Sequence, residues 1–241
     1  MNKTEKKDLL NRSKVFFIEK IAKPHLKNTK KLDDLSEFNV NPLLDRYLAR
    51  FYSGRTDSQA LAESLILPRV LGTSPTTTFG TQMQKFCGEV LQQGLGSKIS
   101  GVDIEFKDAV DGRTKYCQVK SGPNTINNDD VTTIVTKYKS IKRLASTNSV
   151  KDLRMSDLCV GVLYGVPAEL NASYRSLTND YYVPVYIGKD FWHRLTGEPE
   201  FYLELAQAFA DSVVTIDATQ AIKELIKKLA VQIEARDGKQ S

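Results

Sequence analysis

Residues 101–121 read GVDIEFKDAVDGRTKYCQVKS, the pattern of a β-hairpin. In the first arm Val102, Ile104 and Phe106 alternate with Asp103 and Glu105; in the second, Cys117 and Val119 alternate with Tyr116, Gln118 and Lys120. Side chains change face at each strand residue, so each arm has one dry and one wet face. Asp111-Gly112 marks a tight turn, because glycine accepts positive φ without steric cost. A two-residue turn there sets Val110 opposite Arg113, Asp103 opposite Lys120 and Glu105 opposite Gln118, all four polar side chains on one face. Ile104 then meets Val119 and Phe106 meets Cys117 on the other. A longer loop can slip this register by two residues, but a slip of one inverts the faces.

Two acids on one strand face repel each other, and a cation between them relieves that. Carboxylate and carbonyl oxygens are hard ligands suited to Mg²⁺, which binds through one or two carboxylates, waters and substrate phosphate oxygens. A neighbouring lysine can hold a phosphate or position an attacking water. Together these are the parts of metal-assisted phosphodiester hydrolysis. The spacing is equally that of an exposed hairpin face with a cross-strand Asp–Lys pair, worth about a few tenths of a kcal/mol.

The D-x-E pattern at Asp103 and Glu105, followed after the turn by Gln118-Val119-Lys120, resembles the PD-(D/E)XK nuclease superfamily, in the Q-x-K form of Mrr-like members. Ser-Gly-Pro-Asn-Thr (121–125) and Gly-Lys-Asp-Phe-Trp…Leu-Thr-Gly (188–197) are similar to restriction enzymes of this group. The resemblance implies a type II restriction endonuclease: Mg²⁺-dependent, acting on double-stranded DNA, and a homodimer, since a palindromic site calls for a two-fold protein. It implies that Asp103, the Gln118 amide oxygen and the Val119 carbonyl hold the metal, and that Lys120 serves the attacking water and the phosphate. Gln118 stands where the family has an acid, so Glu105, or Glu89 from the preceding helix, is expected to restore charge. A cognate DNA methyltransferase is implied as a genetic partner. Two alternatives stay open: a structure- or modification-directed nuclease (Mrr-like or junction-resolving), and a non-catalytic DNA-binding module.

Working outward, residues 80–93 predict a helix, with Met83, Phe86, Cys87, Val90 and Leu91 on one face. Helix 130–146 follows the hairpin, with Val131, Ile134, Val135, Tyr138, Ile141 and Leu144 inward and Lys137, Lys139, Lys142 and Arg143 outward. Leu158–Tyr164 is a continuously apolar run, read as a buried central strand, and Tyr182–Ile187 is another strand. The order matches an αβββαβ restriction-endonuclease-like core, an α/β fold with a mixed central sheet; one short strand around Lys98–Ile99 is unclear. Helices flank it at both ends, including 42–53 after Asn41, one capped by Asp57 or Ser58, and amphipathic segments 199–212 and 218–235. The division expected is a helical region 1–79 packed on a core 80–241.

Candidate DNA contacts lie in three places. The Gly/Pro/hydroxyl-rich stretch 71–81 reads as a loop carrying Thr76, Thr77 and Thr78. Ser121 and Asn124 follow the hairpin, with Lys137 beyond them. The polar excursion 167–180 carries Arg175, the residue type that most often reads guanine. Each is equally an ordinary connector or solvated face.

With 241 residues, 41% of them hydrophobic, the chain can bury a sizeable core. No run approaches the roughly eighteen apolar residues of a membrane span. MNKTEKKDLL has no hydrophobic stretch, so no signal peptide is read there. Three cysteines, an odd number in apolar contexts, favour reduced thiols in a cytoplasm. The net charge of +5 suits a polyanionic partner without requiring one. His25 and His193 have no partner motif, and no catalytic histidine is assigned.

Overall fold

Alternation in the hairpin stretch yields two antiparallel strands, β1 (Ile104–Lys107) and β2 (Thr114–Lys120). The structure is a computed structural model and describes residues 1–91, 102–147, 152–216 and 218–238. Gly101 and the strand expected around Lys98–Ile99 lie outside the described residues, as do the side chains of 73–77.

The register differs from the two-residue-turn reading. Ile104 pairs with Cys117 and Glu105 with Tyr116, a slip of two residues. The connection is a longer loop, closed by Asp108 N–H to the Arg113 carbonyl (2.9 Å) and Gly112 N–H to the Asp108 carbonyl (2.8 Å). Two aspartates set this length. The Asp108 carboxylate accepts the Val110 N–H and Asp111 accepts the Arg113 N–H, each two residues on. Gly112, at φ 69°, provides the left-handed step. Because the slip is even, the faces survive: Ile104, Phe106, Cys117 and Val119 are buried.

Strand β3 (Leu158–Val162) is buried throughout and runs parallel to β2; β4 (Val185–Ile187) is parallel to β3. The order is β1-β2-β3-β4, a mixed sheet with an antiparallel edge. An all-apolar strand needs cover on both faces. On one, Leu158, Val160 and Val162 pack with Ile134, Tyr138 and Tyr174 from α6 (Asn128–Thr147) and α7 (Ala172–Asn179). On the other lies an aromatic layer from α8 (Lys189–Thr196), where Phe191 meets Phe106 edge-on and the Trp192 indole N–H donates to the Leu163 carbonyl (2.8 Å). Phe86, from α5 (Ser74–Phe86), lies between Trp192, Phe16 of α1 (Lys3–Phe17) and Phe209 of α9 (Phe201–Ser212). The Phe-Trp of the 188–197 motif is thus the sheet's hydrophobic plug.

Gly161 makes that plug possible. A Cβ there would stand 2.2 Å from the Phe191 ring, far inside contact distance, and Phe191 is fully buried. Gly161→Ala should therefore destabilise the protein by about 3 kcal/mol through overpacking. It should be read as a lower urea midpoint at unchanged slope; an unshifted midpoint would show that the ring gives way freely.

Several expected elements change. The stretch 71–81 is helical throughout: 71–73 belong to a π-helical turn, Arg69–Thr73, and α5 runs on from Ser74, so Pro75 follows that turn directly. The helix expected over 80–93 is α5, continued as a π-helical turn, Cys87–Leu91. The excursion 167–180 is not a loop: Asn171 caps α7 through the Tyr174 N–H (3.1 Å), and Tyr174 is buried. Its hydroxyl donates to the Gly122 carbonyl (3.0 Å). Leu144 is exposed, and Ala145 takes the inward place.

The chain divides into two units, Met1–Phe16 with Gly80–Asp211, and Phe17–Phe79 with Ser212–Ser241. The second contains α2 (Lys23–Thr29), α3 (Pro42–Ser53), α4 (Ser58–Pro68) and α10 (Ala218–Asp237). Asn41 and Asp57 cap α3 and α4. Leu225, Leu229 and Ile233 of α10 cluster with Ala60, Leu61 and Ile66 of α4. Met1–Phe16 groups with the sheet, and 212–241 groups with the helices. Helical periodicity tells that a stripe is buried, not which stripe it meets.

Candidate active site

The site residues sit at the C-terminal end of β2. The strand pairing ends at Ile104–Cys117, and the Asp103 N–H donates to the Cys117 carbonyl at 3.1 Å, so Asp103 does not stand opposite Lys120. The Asp103 carboxylate accepts the Val119 N–H at 2.8 Å. From α5, the Gln84 amide donates to the Val119 carbonyl at 2.9 Å. Both backbone groups of Val119 on this side are therefore held by side chains. Gln118 lies on the face that carries α6, and its N–H donates to the Tyr138 hydroxyl at 3.1 Å. Its side-chain Oε1 is buried and has no hydrogen-bond partner in the protein. A buried, unpaired acceptor is costly, so its position calls for an explanation.

Lys120, half-buried, points toward Asp130 at the start of α6, with Nζ 3.7 Å from Oδ1. The other Asp130 oxygen accepts the Asn127 N–H (3.0 Å), while Asn127 caps the Asp130 N–H (3.0 Å). This reciprocal cap fixes the carboxylate beside the lysine. Asp103 is thus fixed on the Val119 N–H, Gln118 and Lys120 stand on β2, and Lys120 lies beside the N-terminus of α6.

The two acids expected to restore charge lie on β1 and on the turn after α5. Glu105 pairs with Tyr116, two residues along β2 from Gln118. Glu89 is exposed on the π-helical turn. Among the described residues no three His, Cys, Asp or Glu side chains gather closely enough to hold a metal ion. The donors at the Asp103–Gln118–Val119 corner are all oxygen: one carboxylate, one unpaired amide oxygen, and a carbonyl with a second lone pair. That set suits a hard cation such as Mg²⁺, which takes one or two carboxylates and keeps waters.

A family model describing the type II restriction endonuclease EcoO109I matches residues 13–215, more than four fifths of the chain. The chain belongs to the EcoO109I family of type II restriction endonucleases. No curated protein matches it. The four-stranded mixed sheet flanked by helices is compatible with the restriction-endonuclease-like fold, and the substrate of such an enzyme is DNA. Among the described residues, no helix is long and apolar enough to cross a membrane.

For a restriction endonuclease the remaining polar residues divide by position. Ser121, directly after Lys120, is half-buried, and Gly80 of α5 packs on it; a Cβ at Gly80 would lie 3.3 Å from the Ser121 Cβ. Asn124 and Lys137 are exposed. Arg175 is exposed on α7 and donates to the Leu170 carbonyl. Thr78 is half-buried on α5; the side chains of Thr76 and Thr77 lie outside the described residues. Sequence reasoning missed Gln84, Asp130 and Tyr138 as site neighbours. Asp130 carried a signal as the capping acid of α6, whereas the other two looked like ordinary helix residues.

The hairpin's far end is held by a buried ionic latch. Arg113 donates to both oxygens of Asp157 (2.7 and 2.6 Å), and the Arg154 N–H adds a third bond (2.9 Å). Buried Lys115 stands between Asp157 (3.4 Å) and Asp111 (2.6 Å). Burial alone would raise the Asp157 carboxyl, but the Arg113 and Arg154 hydrogen bonds outweigh it and hold the group down at about 2. A folded-state pKa below the unfolded value gives stability that is present above about pH 4 and lost as pH falls toward 2. Asp157→Asn should therefore cost about 2 kcal/mol at pH 7. The gap from wild type in urea unfolding should close between pH 4 and pH 2; a gap constant with pH would contradict the latch.

Proposed function

We propose that this restriction endonuclease hydrolyses double-stranded DNA at a specific sequence, in a Mg²⁺-dependent reaction centred on Asp103, Gln118 and Lys120. The observation that carries the reading is the buried, unpartnered Oε1 of Gln118, the residue before the Val119 whose N–H Asp103 accepts. Asp103, the Gln118 amide oxygen and the Val119 carbonyl would hold the cation, with Glu105 or Glu89 as the acid that adds charge. Bound there, Mg²⁺ supplies Lewis-acid polarisation of the scissile phosphate. Lys120 orients the attacking water; as the neutral amine it takes the water's proton, and the ammonium so formed sets a positive charge against the pentavalent phosphate. Asp130 keeps the Lys120 side chain directed along α6 until DNA arrives. Ser121, Asn124, Lys137, Arg175 and the threonines 76–78 are the residues we assign to DNA contact.

A homodimer fits this reading, and α3 presents Leu43, Tyr47 and Phe51 to solvent. Three buried, free thiols fit a reducing cytoplasm. The cellular counterpart is a DNA methyltransferase that protects the host's own sites. Incubation with phage DNA and Mg²⁺ tests the reading: discrete fragments are expected. A smear would favour a nuclease without sequence choice, and intact DNA would refute hydrolysis.

A further inference from the structure

We infer that Tyr138 is a positioning residue of the metal site, acting through the backbone of Gln118. The inference rests on the reading just given and extends it to a residue outside the nuclease motif. In a parallel pair registered Gln118 to Val160, the Gln118 N–H is aimed at the Cys159 carbonyl. The Tyr138 hydroxyl sits on that rung and touches both ends, accepting the Gln118 N–H at 3.1 Å and donating to the Cys159 carbonyl at 2.5 Å. The phenol reaches the sheet from α6 and is fully buried. Burial, then the neighbouring Cys117 and Cys159 thiols, push it well above the ordinary phenol range, so it stays a donor at working pH.

The consequence is geometric. The hydroxyl bears on the rung from the α6 face, beside the ladder pairing, and braces β2 against β3 at the residue whose side-chain oxygen is unpartnered, one residue before the carbonyl that Gln84 holds. Without it, the rung loses its brace from α6, and the Gln118 peptide and the Val119 carbonyl are free to tilt together. Sites that orient a ligand from behind in this way lose about 10–100-fold in metal affinity when the support is removed.

The test compares Tyr138→Phe with a variant carrying p-aminophenylalanine at 138. The latter still donates to Cys159 but is a poor acceptor for the Gln118 N–H; it isolates that arm, and it carries the test if Tyr138→Phe fails to fold by circular dichroism. Mn²⁺ binding is read from the electron paramagnetic resonance of the free ion. The protein is in the Lys120→Ala background, bound to a duplex spanning a junction found in the wild-type digest. A dissociation constant raised about tenfold in either variant is expected. In the Lys120 background, the Mg²⁺ midpoint for cleavage should rise in parallel and cleavage at saturating metal should largely recover. A lower melting temperature with unchanged Mn²⁺ affinity and unchanged Mg²⁺ midpoint would make Tyr138 merely structural and overturn the inference. Asp103→Ala is the control. If it too leaves Mn²⁺ affinity unchanged, or if wild type does not cut, the proposed function fails; if it weakens binding and the Tyr138 variants do not, only this inference falls.

Discussion

Asp103→Ala should abolish DNA cleavage in Mg²⁺, lowering the rate by at least about 10³-fold while DNA binding measured in Ca²⁺ stays largely intact. Asp103 is the carboxylate held against β2 itself: its oxygen reaches the Val119 N–H at 2.8 Å, next to Gln118. With Gln118 neutral, removal of this acid takes away the negative charge closest along the strand to the Gln118 amide. The same change also frees the Val119 N–H, so Asp103→Asn is the sharper variant: it keeps an acceptor for that hydrogen bond and loses only the charge. It should be as inactive as the alanine variant, at nearly wild-type stability. Gel-based cleavage of a single-site plasmid, with binding followed by fluorescence anisotropy in Ca²⁺, separates the two effects. Cleavage by either variant at more than about a tenth of the wild-type rate would remove Asp103 from the chemistry.

Lys120→Ala should lower cleavage by a comparable factor, about 10²–10³-fold, again with DNA binding retained. Lys120 is half-buried, with Asp130 at 3.7 Å, so its ammonium is guided but not locked. The informative companion is Lys120→Arg. Arginine keeps the positive charge that favours the phosphorane, but it does not give up a proton at working pH. A role in moving the proton of the attacking water predicts that arginine rescues little of the rate; a role confined to charge predicts substantial rescue. Single-turnover rates across pH 6–9 distinguish these outcomes, and a wild-type rate for Lys120→Ala would contradict both.

The fold was legible where side-chain pattern alone decides it. Ile104, Phe106, Cys117 and Val119 declared the buried face of the hairpin, and the unbroken apolar run at 158–162 declared a strand covered on both faces. The register was not legible, because it turned on whether the Asp108 and Asp111 side chains would bind backbone N–H groups inside the loop. Composition misled at 71–81, where threonines, Gly80 and Pro75 suggested a loop although the chain is helical through a π-helical turn, Arg69–Thr73, and on into α5. The tail helices were visible as amphipathic stripes, but nothing in a stripe names its partner; α10 met α4. The same limit applied at the site. Asp103, Gln118 and Lys120 stood out as a motif, whereas Tyr138 was one of six inward residues on its helix. Only coordinates reveal that its hydroxyl lands on a strand rung. Gln84 was hidden for the same reason, and Glu105, which a two-residue turn would set opposite Gln118, pairs with Tyr116.

The measurement that tests the central claim most directly is the anomalous scattering of Mn²⁺ in crystals of the Lys120→Ala protein bound to duplex DNA. The account predicts a peak about 2.2 Å from an Asp103 carboxylate oxygen and from Gln118 Oε1, with the Val119 carbonyl in the same shell. A peak held by other acids, with the Gln118 amide turned away from it, would contradict the account.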